Sequence, residues 1–283
     1  VSMPGSGRPP DVTVLPWSRP PSTTRDHGVD LRSVELDVAD QGSANAAVGA
    51  ILAESDRIDV VVHNAGHMVL GWLGAFTPEQ LHEVFDVNAA ATQRVNRAVL
   101  PHLRAQGDGL LLWVGLSITC GGTWPCFGAC FAVGAVVGSL AVTYAAEVGG
   151  FGIDITVVVP GAFTSGTNHF AHSGRAVDTT VADAYGVRCA GLLDQVGACL
   201  AEVTSLNADS AEVAVVIVGV AGTPRGQRLF RVHIEPTDDG AETVNGVGGL
   251  VRTAFYQRIG LQDLLGPRLA WALIGRWTIG ALG

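Results

Sequence analysis

An α/β chain built on a doubly wound parallel sheet is what this sequence predicts, and three observations lead there. From residue 32 onward, short apolar runs alternate with longer stretches of helical periodicity, the pattern of parallel strands joined by helical crossovers. Only 15% of residues are charged while 48% are hydrophobic, which suits a sheet covered on both faces. Glycine accounts for 37 of 283 residues, a supply fitted to tight strand-to-helix turns.

Prolines crowd the start, in Pro4-Gly5-Ser6-Gly7-Arg8-Pro9-Pro10 and Pro16-Trp17-Ser18-Arg19-Pro20-Pro21, and remove the backbone donors that helices and ladders use. Residues 1–31 therefore read as an irregular arm with one candidate strand, the β-prone run Val12–Leu15. Five further runs too short for helices are the expected strands: Ser33–Val38, Ile58–His63, Leu110–Val114, Ile155–Val159 and Phe230–Ile234. Between them, Ser43–Glu54 has apolar residues at helical spacing. Thr77-Pro78-Glu79-Gln80 reads as an N-cap, a first-turn proline and a capping-box glutamine. Leu81, Val84, Phe85 and Asn88 then recur at i, i+3, i+4 and i+7, so Asn88 is an inward polar side chain that needs a partner. Phe127–Val148 is the next helix, weakened by Gly134 and Gly138 inside it, each costing about 1 kcal/mol relative to Ala. No repeat or linker divides residues 32–240, which form a single core domain, and 241–283 read as a helical C-terminal extension.

The formal charge is −9, and no basic run exists to neutralise phosphates, so nucleic acid is excluded as a main partner. All 17 basic residues are Arg. Any mechanism that requires a lysine amino group is therefore excluded. Five cysteines, an odd number, with no secretory pattern at the front, lead to an expectation of reduced thiols in the cytoplasm. Leu269–Gly283 is apolar but short for a bilayer and holds Arg276 in its middle, so no transmembrane segment is expected and the stretch reads as a docking or interfacial helix.

Ligands of open α/β sheets sit beyond the carboxyl ends of the strands. Asp37-Val38 and Asn64-Ala65-Gly66 each close a predicted strand, Asn88 lies on the next helix, Ser117 follows the Leu110–Val114 strand, and Pro160-Gly161 with Thr164 follows Ile155–Val159. In this order the residues resemble the landmarks of the short-chain dehydrogenase/reductase family over about residues 11–240. The resemblance implies a Rossmann-like fold, an NADP or NAD cofactor and a small carbonyl or alcohol substrate. It implies that Asp37 and Val38 meet the adenine and that Asn64, Ala65, Gly66, Pro160, Gly161 and Thr164 line the cofactor. Ser117 would orient the substrate carbonyl and Asn88 would hold a proton-relaying water. A homo-oligomer, built on the long helices carrying Asn88 and Cys130, is also implied by the family.

Departures from the family pattern fall at two independent places. Where the family carries its Tyr-x-x-x-Lys pair, this chain has Cys130 and Gly134. The Tyr is the general acid–base and the Lys lowers its pKa; a thiol is several ångström shorter, and the missing ammonium has no substitute in a chain without lysine. At the front, nothing matches Thr-Gly-x-x-x-Gly-x-Gly, the turn that lets backbone approach the pyrophosphate. Residues 12–19 resemble instead the end of the family's second strand, with Arg19 at a position that selects the 2′-phosphate of NADP. The first strand and its helix are thus expected to be missing or replaced, by residues 11–16 or by a partner.

Among other constellations, Tyr185 in the substrate loop is the one remaining tyrosine able to approach the cleft, since Tyr144 lies several turns further along its helix. Cys120, Cys126 and Cys130 lack the spacing of a structural zinc site, and no metal is expected. His63, His67, His169 and His172 flank the cleft, with His63 read as a turn hydrogen-bonder. Ser117 lacks the second glycine of a hydrolase elbow. Arg94, Arg97 and Arg104 read as a solvated helix face. The expected function is a catalytically impaired or inactive protein of oxidoreductase ancestry, a scaffold or a relic. The alternative is an active NAD(P)-dependent alcohol dehydrogenase or carbonyl reductase that uses Ser117 and Asn88 with Tyr185, Cys130 or water as a non-standard proton donor.

Overall fold

A computed structural model describes residues 12–13, 31–116, 123–163, 172–203, 209–234 and 239–265. Four strands, β3 (Val60–His63), β4 (Gly109–Val114), β5 (Ile153–Pro160) and β6 (Arg231–Ile234), form a parallel sheet in sequential order. A separate two-residue parallel ladder joins β1 (Val12–Thr13) to β2 (Leu31–Arg32). Side chains of β4 alternate between two cores. Leu111 and Trp113 face the larger one, with Ala44 and Val48 of α1 (Gln41–Ser55), Val99 and Leu103 of α3 (Ala91–Gln106), and Val133, Val137 and Ala141 of α4 (Gly128–Val148). Leu110 and Leu112 face the other, with Val216 and Val220 of α5 (Ala211–Gly222). Helices on both faces make the sheet doubly wound, as the composition predicts.

The helix signals are realised with few changes. In α2 (Pro78–Phe85), Thr77 and Gln80 form the predicted capping box, with Pro78 in the first turn. Gln80 does more than cap, because its Nε2 donates to the Arg175 carbonyl and its Oε1 accepts the Val177 N–H, which fastens the 174–177 segment to the helix. Val84 is buried, but Phe85 is exposed, contrary to the predicted core face. Residues Asp86–Ala90 then widen into a π turn before α3 begins. α4 is apolar and long enough by composition to cross a bilayer. It lies in this fold as a core helix, with Ala129, Val133, Val137, Ala141 and Ala145 buried along one i, i+4 stripe. Between the 3₁₀ turn Gly149–Phe151 and β5, Gly152 sits at φ +78, where an added Cβ would come 2.4 Å from the Gly107 carbonyl oxygen, so glycine is required.

The predicted strand Ser33–Val38 is not a strand. Only Leu31–Arg32 pair, and residues 33–38 carry no ladder, although their exposure alternates as in an extended chain and Leu36 packs on the main core. A strand needs a neighbour to hydrogen-bond, and β1 offers two residues among those described. Val14 and Leu15 lie outside the described residues. Correspondingly, β3 has a ladder partner on one side alone among the described residues, β4, and Val62 in it is 43% exposed.

Candidate active site

The carboxyl ends of β3 and β5 bring together three of the predicted segments. Asn64, Ala65 and Gly66 follow β3 and are exposed, while Pro160 ends β5 and the Gly161 N–H donates to the Ile234 carbonyl at 2.7 Å. Asn88 sits in the π turn, a feature that recurs at functional sites. Its Nδ2 donates to the His67 carbonyl at 2.8 Å and its Oδ1 accepts the His67 N–H at 2.6 Å. The inward amide thus has its partner, the main chain of the loop after β3. The fit is tight, since a Cβ at Gly66 would lie 3.1 Å from Asn88 Oδ1. Asn88→Ala removes both bonds at once and is expected to cost about 1–3 kcal/mol, read as a lower unfolding midpoint with faster amide exchange at His67.

Asp37 and Val38 lie in the turn ahead of α1 rather than at a strand end. Asp37 Oδ1 accepts the Ala39 N–H and its own N–H donates to Ser43 Oγ, while Asp40 caps the helix. The turn is held by Arg94, which is a correction to its reading as a solvated residue. The Arg94 guanidinium pairs with the Asp86 carboxylate and donates to the carbonyls of Val38 and Asp86, each at 3.3 Å. It therefore clamps the Asp37-Val38 turn to the π turn that carries Asn88. Nothing in the sequence marks this residue apart from Arg97 and Arg104, which are exposed as expected. Arg94→Met strands an acid and two carbonyls, so a loss of about 1–3 kcal/mol is expected in urea unfolding.

Cys130, which the sequence resemblance sets at the family's Tyr position, points into the protein. Its thiol donates to the Val69 carbonyl at 3.2 Å and accepts the Val69 N–H at 3.3 Å, and burial pushes its pKa up. A thiol held this way keeps its proton and is a poor donor to a cleft. Gly134, one turn on, is half-buried in α4. Tyr185 is no nearer to the role: it is stacked on Trp72 with ring centroids 5.3 Å apart, and its hydroxyl stands over the backbone of Gly74. Tyr144 donates to Gln93 on α3.

His63 is a second correction. Instead of serving the turn, it is buried at the end of β3, with Nε2 2.9 Å from Asn96 Oδ1 and its ring stacked on Trp113 at 5.1 Å. Burial pushes its pKa down to about 4, against a smaller upward pull from Asn96. It is a neutral core imidazole at pH 7. The His67 main chain is clasped by Asn88, and His172 is exposed. Among the described residues no group of three His, Cys, Asp or Glu side chains is placed to hold a metal. Ser117, Arg19, Thr164, His169 and Cys120 lie outside the described residues.

The family model described as Enoyl-(Acyl carrier protein) reductase matches residues 21–218, the span that holds the loop after β3, the π turn and the Cys130 helix. The chain belongs to the short-chain dehydrogenase/reductase family. An uncharacterized NAD-dependent oxidoreductase of Mycobacterium tuberculosis is 33% identical to this family member over 153 residues, 50% of this chain and 55% of that protein. The chain spans about half the length of the curated relatives it matches. A short-chain dehydrogenase from Streptomyces avermitilis superposes with a TM-score of 0.62 at 22% identity, over 84% of this chain and 82% of its own. An alcohol dehydrogenase from Thermococcus sibiricus, complexed with 5-hydroxy-NADP, gives 0.57 at 19% identity, over 74% and 76%. At such identities the two structures bear on the fold.

The residues of this short-chain dehydrogenase/reductase fit a dinucleotide only in part. The loops after β3 and β5 lie beyond the carboxyl ends of the strands, the side on which open α/β sheets take ligands. No glycine-rich turn from strand to helix is found among the described residues to receive the pyrophosphate.

Proposed function

We propose that this chain is a short-chain dehydrogenase/reductase fold without the family's catalysis, serving as a scaffold or interaction protein or standing as a relic. The observation that carries the reading is Cys130. The position that should aim an acid–base hydroxyl at a substrate holds a thiol whose hydrogen bonds both go to Val69, and Gly134 stands where the ammonium belongs, in a chain without lysine. Orientation by Ser117 and a water held near Asn88 supply neither the proton nor the lowered pKa. The partial fit to NADP or NAD supports the same reading, and a cytoplasmic homo-oligomer is the setting it expects.

The test is an NADPH-consumption assay over a panel of ketones and aldehydes. No turnover above buffer is expected. Reduction that disappears in Ser117→Ala would overturn the proposal in favour of an active carbonyl reductase with an unusual proton donor. That second reading draws on Asn88, whose grip on the loop after β3 is intact.

A further inference from the structure

Cys126, Cys130, Cys189 and Cys199 are free thiols among the described residues. Cys130 is taken up by Val69, to which it both donates and accepts. Cys126 and Cys189 are brought to one corner of the molecule by contacts that flank them. The Cys126 carbonyl accepts the Gly71 N–H at 3.0 Å. Trp72, the next residue after Gly71, stacks on Tyr185 of the helix Thr179–Arg188 with ring centroids 5.3 Å apart. Cys189 ends that helix one turn beyond Tyr185, whose carbonyl accepts the Cys189 N–H at 2.8 Å. Just after each cysteine the chain packs again. Phe127 and Phe131 meet Leu192, Val196 and Leu200 of the helix Leu192–Val203 in one apolar cluster, and the Leu192 N–H donates to the Cys189 carbonyl at 3.0 Å. Burial raises the pKa of Cys126, and a negative charge on Cys189 raises it further, so each sulfur lies within the other's field.

We propose that Cys126 and Cys189 are a modification site, a dithiol that hydrogen peroxide converts to a reversible disulfide, independently of any dinucleotide. Exposure divides the roles. Cys189 is half-buried and meets the oxidant, whereas Cys126 is 8% exposed and resolves from inside. In the first step the Cys189 sulfur attacks one peroxide oxygen. An S–O bond forms, the O–O bond breaks, and the thiol proton leaves with the departing hydroxide as water, so that Cys189 becomes a sulfenic acid. Cys126 Sγ then attacks the oxidised sulfur. The S–S bond forms, the S–O bond breaks, and the Cys126 proton leaves with the hydroxyl as a second water. The two electrons lost by the thiols are those the peroxide gains. The product ties the end of the helix Thr179–Arg188 to the turn that opens α4, two segments that the Trp72–Tyr185 stack and the Phe127 cluster already hold together. Thiols returned by a dithiol reductant restore the open form.

The test treats the unaltered chain with a small excess of hydrogen peroxide, blocks remaining thiols by alkylation and maps linked chymotryptic peptides by tandem mass spectrometry. Cleavage at Phe127 parts Cys126 from Cys130, and cleavage at Leu192 parts Cys189 from Cys199. A Cys126–Cys189 link within one chain, dominant over every other pairing and erased by dithiothreitol, is the result expected. A dominant link to another cysteine or between chains, or alkylation of both thiols after oxidation, overturns the proposal. Cys126→Ser gives an independent reading, because a sulfenic acid deprived of its resolving thiol persists long enough for dimedone to capture it. Dimedone is expected on Cys189 in that variant, several-fold above its level in the unaltered chain. Equal labelling in the two chains, or capture at Cys199 instead, contradicts the assignment of roles.

Discussion

Lowering the pH from 7 to 4 is expected to remove about 3 kcal/mol of folding stability through the single imidazole of His63. In the folded chain burial holds its pKa at about 4, whereas an unburied histidine titrates near 6.5. Between those values the unfolded chain carries a proton that the folded chain does not. Stability therefore falls as pH drops through that window and levels off below pH 4. His233 is also shifted downward, chiefly by burial, so the whole-chain profile contains a contribution from each. Urea unfolding of the wild type and of His63→Asn at several pH values between 7.5 and 4 isolates the first. The variant should show the shallower slope, whatever its stability at neutral pH. Parallel profiles would mean that the imidazole reaches solvent when charged.

Cys130→Tyr is expected to destabilise the chain by about 1–3 kcal/mol through overpacking and to gain no reductase activity. The thiol fits against the Val69 main chain in a buried position of α4, where a phenol ring must displace its neighbours. Even a ring that found room would lack the ammonium that lowers a phenol's pKa from near 10. Unfolding midpoints and NADPH consumption, measured on the same preparation, check both halves. Turnover by Cys130→Tyr alone would show that the cofactor and substrate sites survive and that only the acid was missing.

The elements set by local chemistry were the most legible. Thr77, Pro78 and Gln80 carry their capping geometry in the sequence, and the runs that became β3 to β6 announce buried parallel strands within a residue or two. Ser33–Val38 shows the limit. Its strand pattern is sound, but a ladder is made by two strands, and the neighbour that would complete it is not among the described elements. Site residues divide in the same way. Asn88 could be recognised as an inward amide in want of a partner, yet the partner, the main chain of His67, depends on the π turn, which has no local signature. Arg94 looked like its neighbours Arg97 and Arg104 because what separates them is the tertiary approach of the Asp37-Val38 turn. His63 looked like a loop residue because Asn96 and Trp113, which enclose it, are distant in sequence. The sequence-level identification of Cys130 was informative because a thiol in place of a phenol changes the chemistry wherever it points; that it points at Val69 only the fold could say.

A thermal-shift titration with NADPH and with NADH goes most directly to the claim that this family fold has lost its cofactor chemistry. A ligand bound only by the native state raises stability by RT ln(1 + [L]/Kd), about 2.7 kcal/mol at a hundredfold excess over Kd. The expected result is an unfolding midpoint that does not move at millimolar cofactor, for the chain and for its Cys130→Tyr, Gly134→Lys variant alike. A saturable rise of several degrees with either nucleotide in the unaltered chain would contradict the account, since it would mean that the dinucleotide is still held.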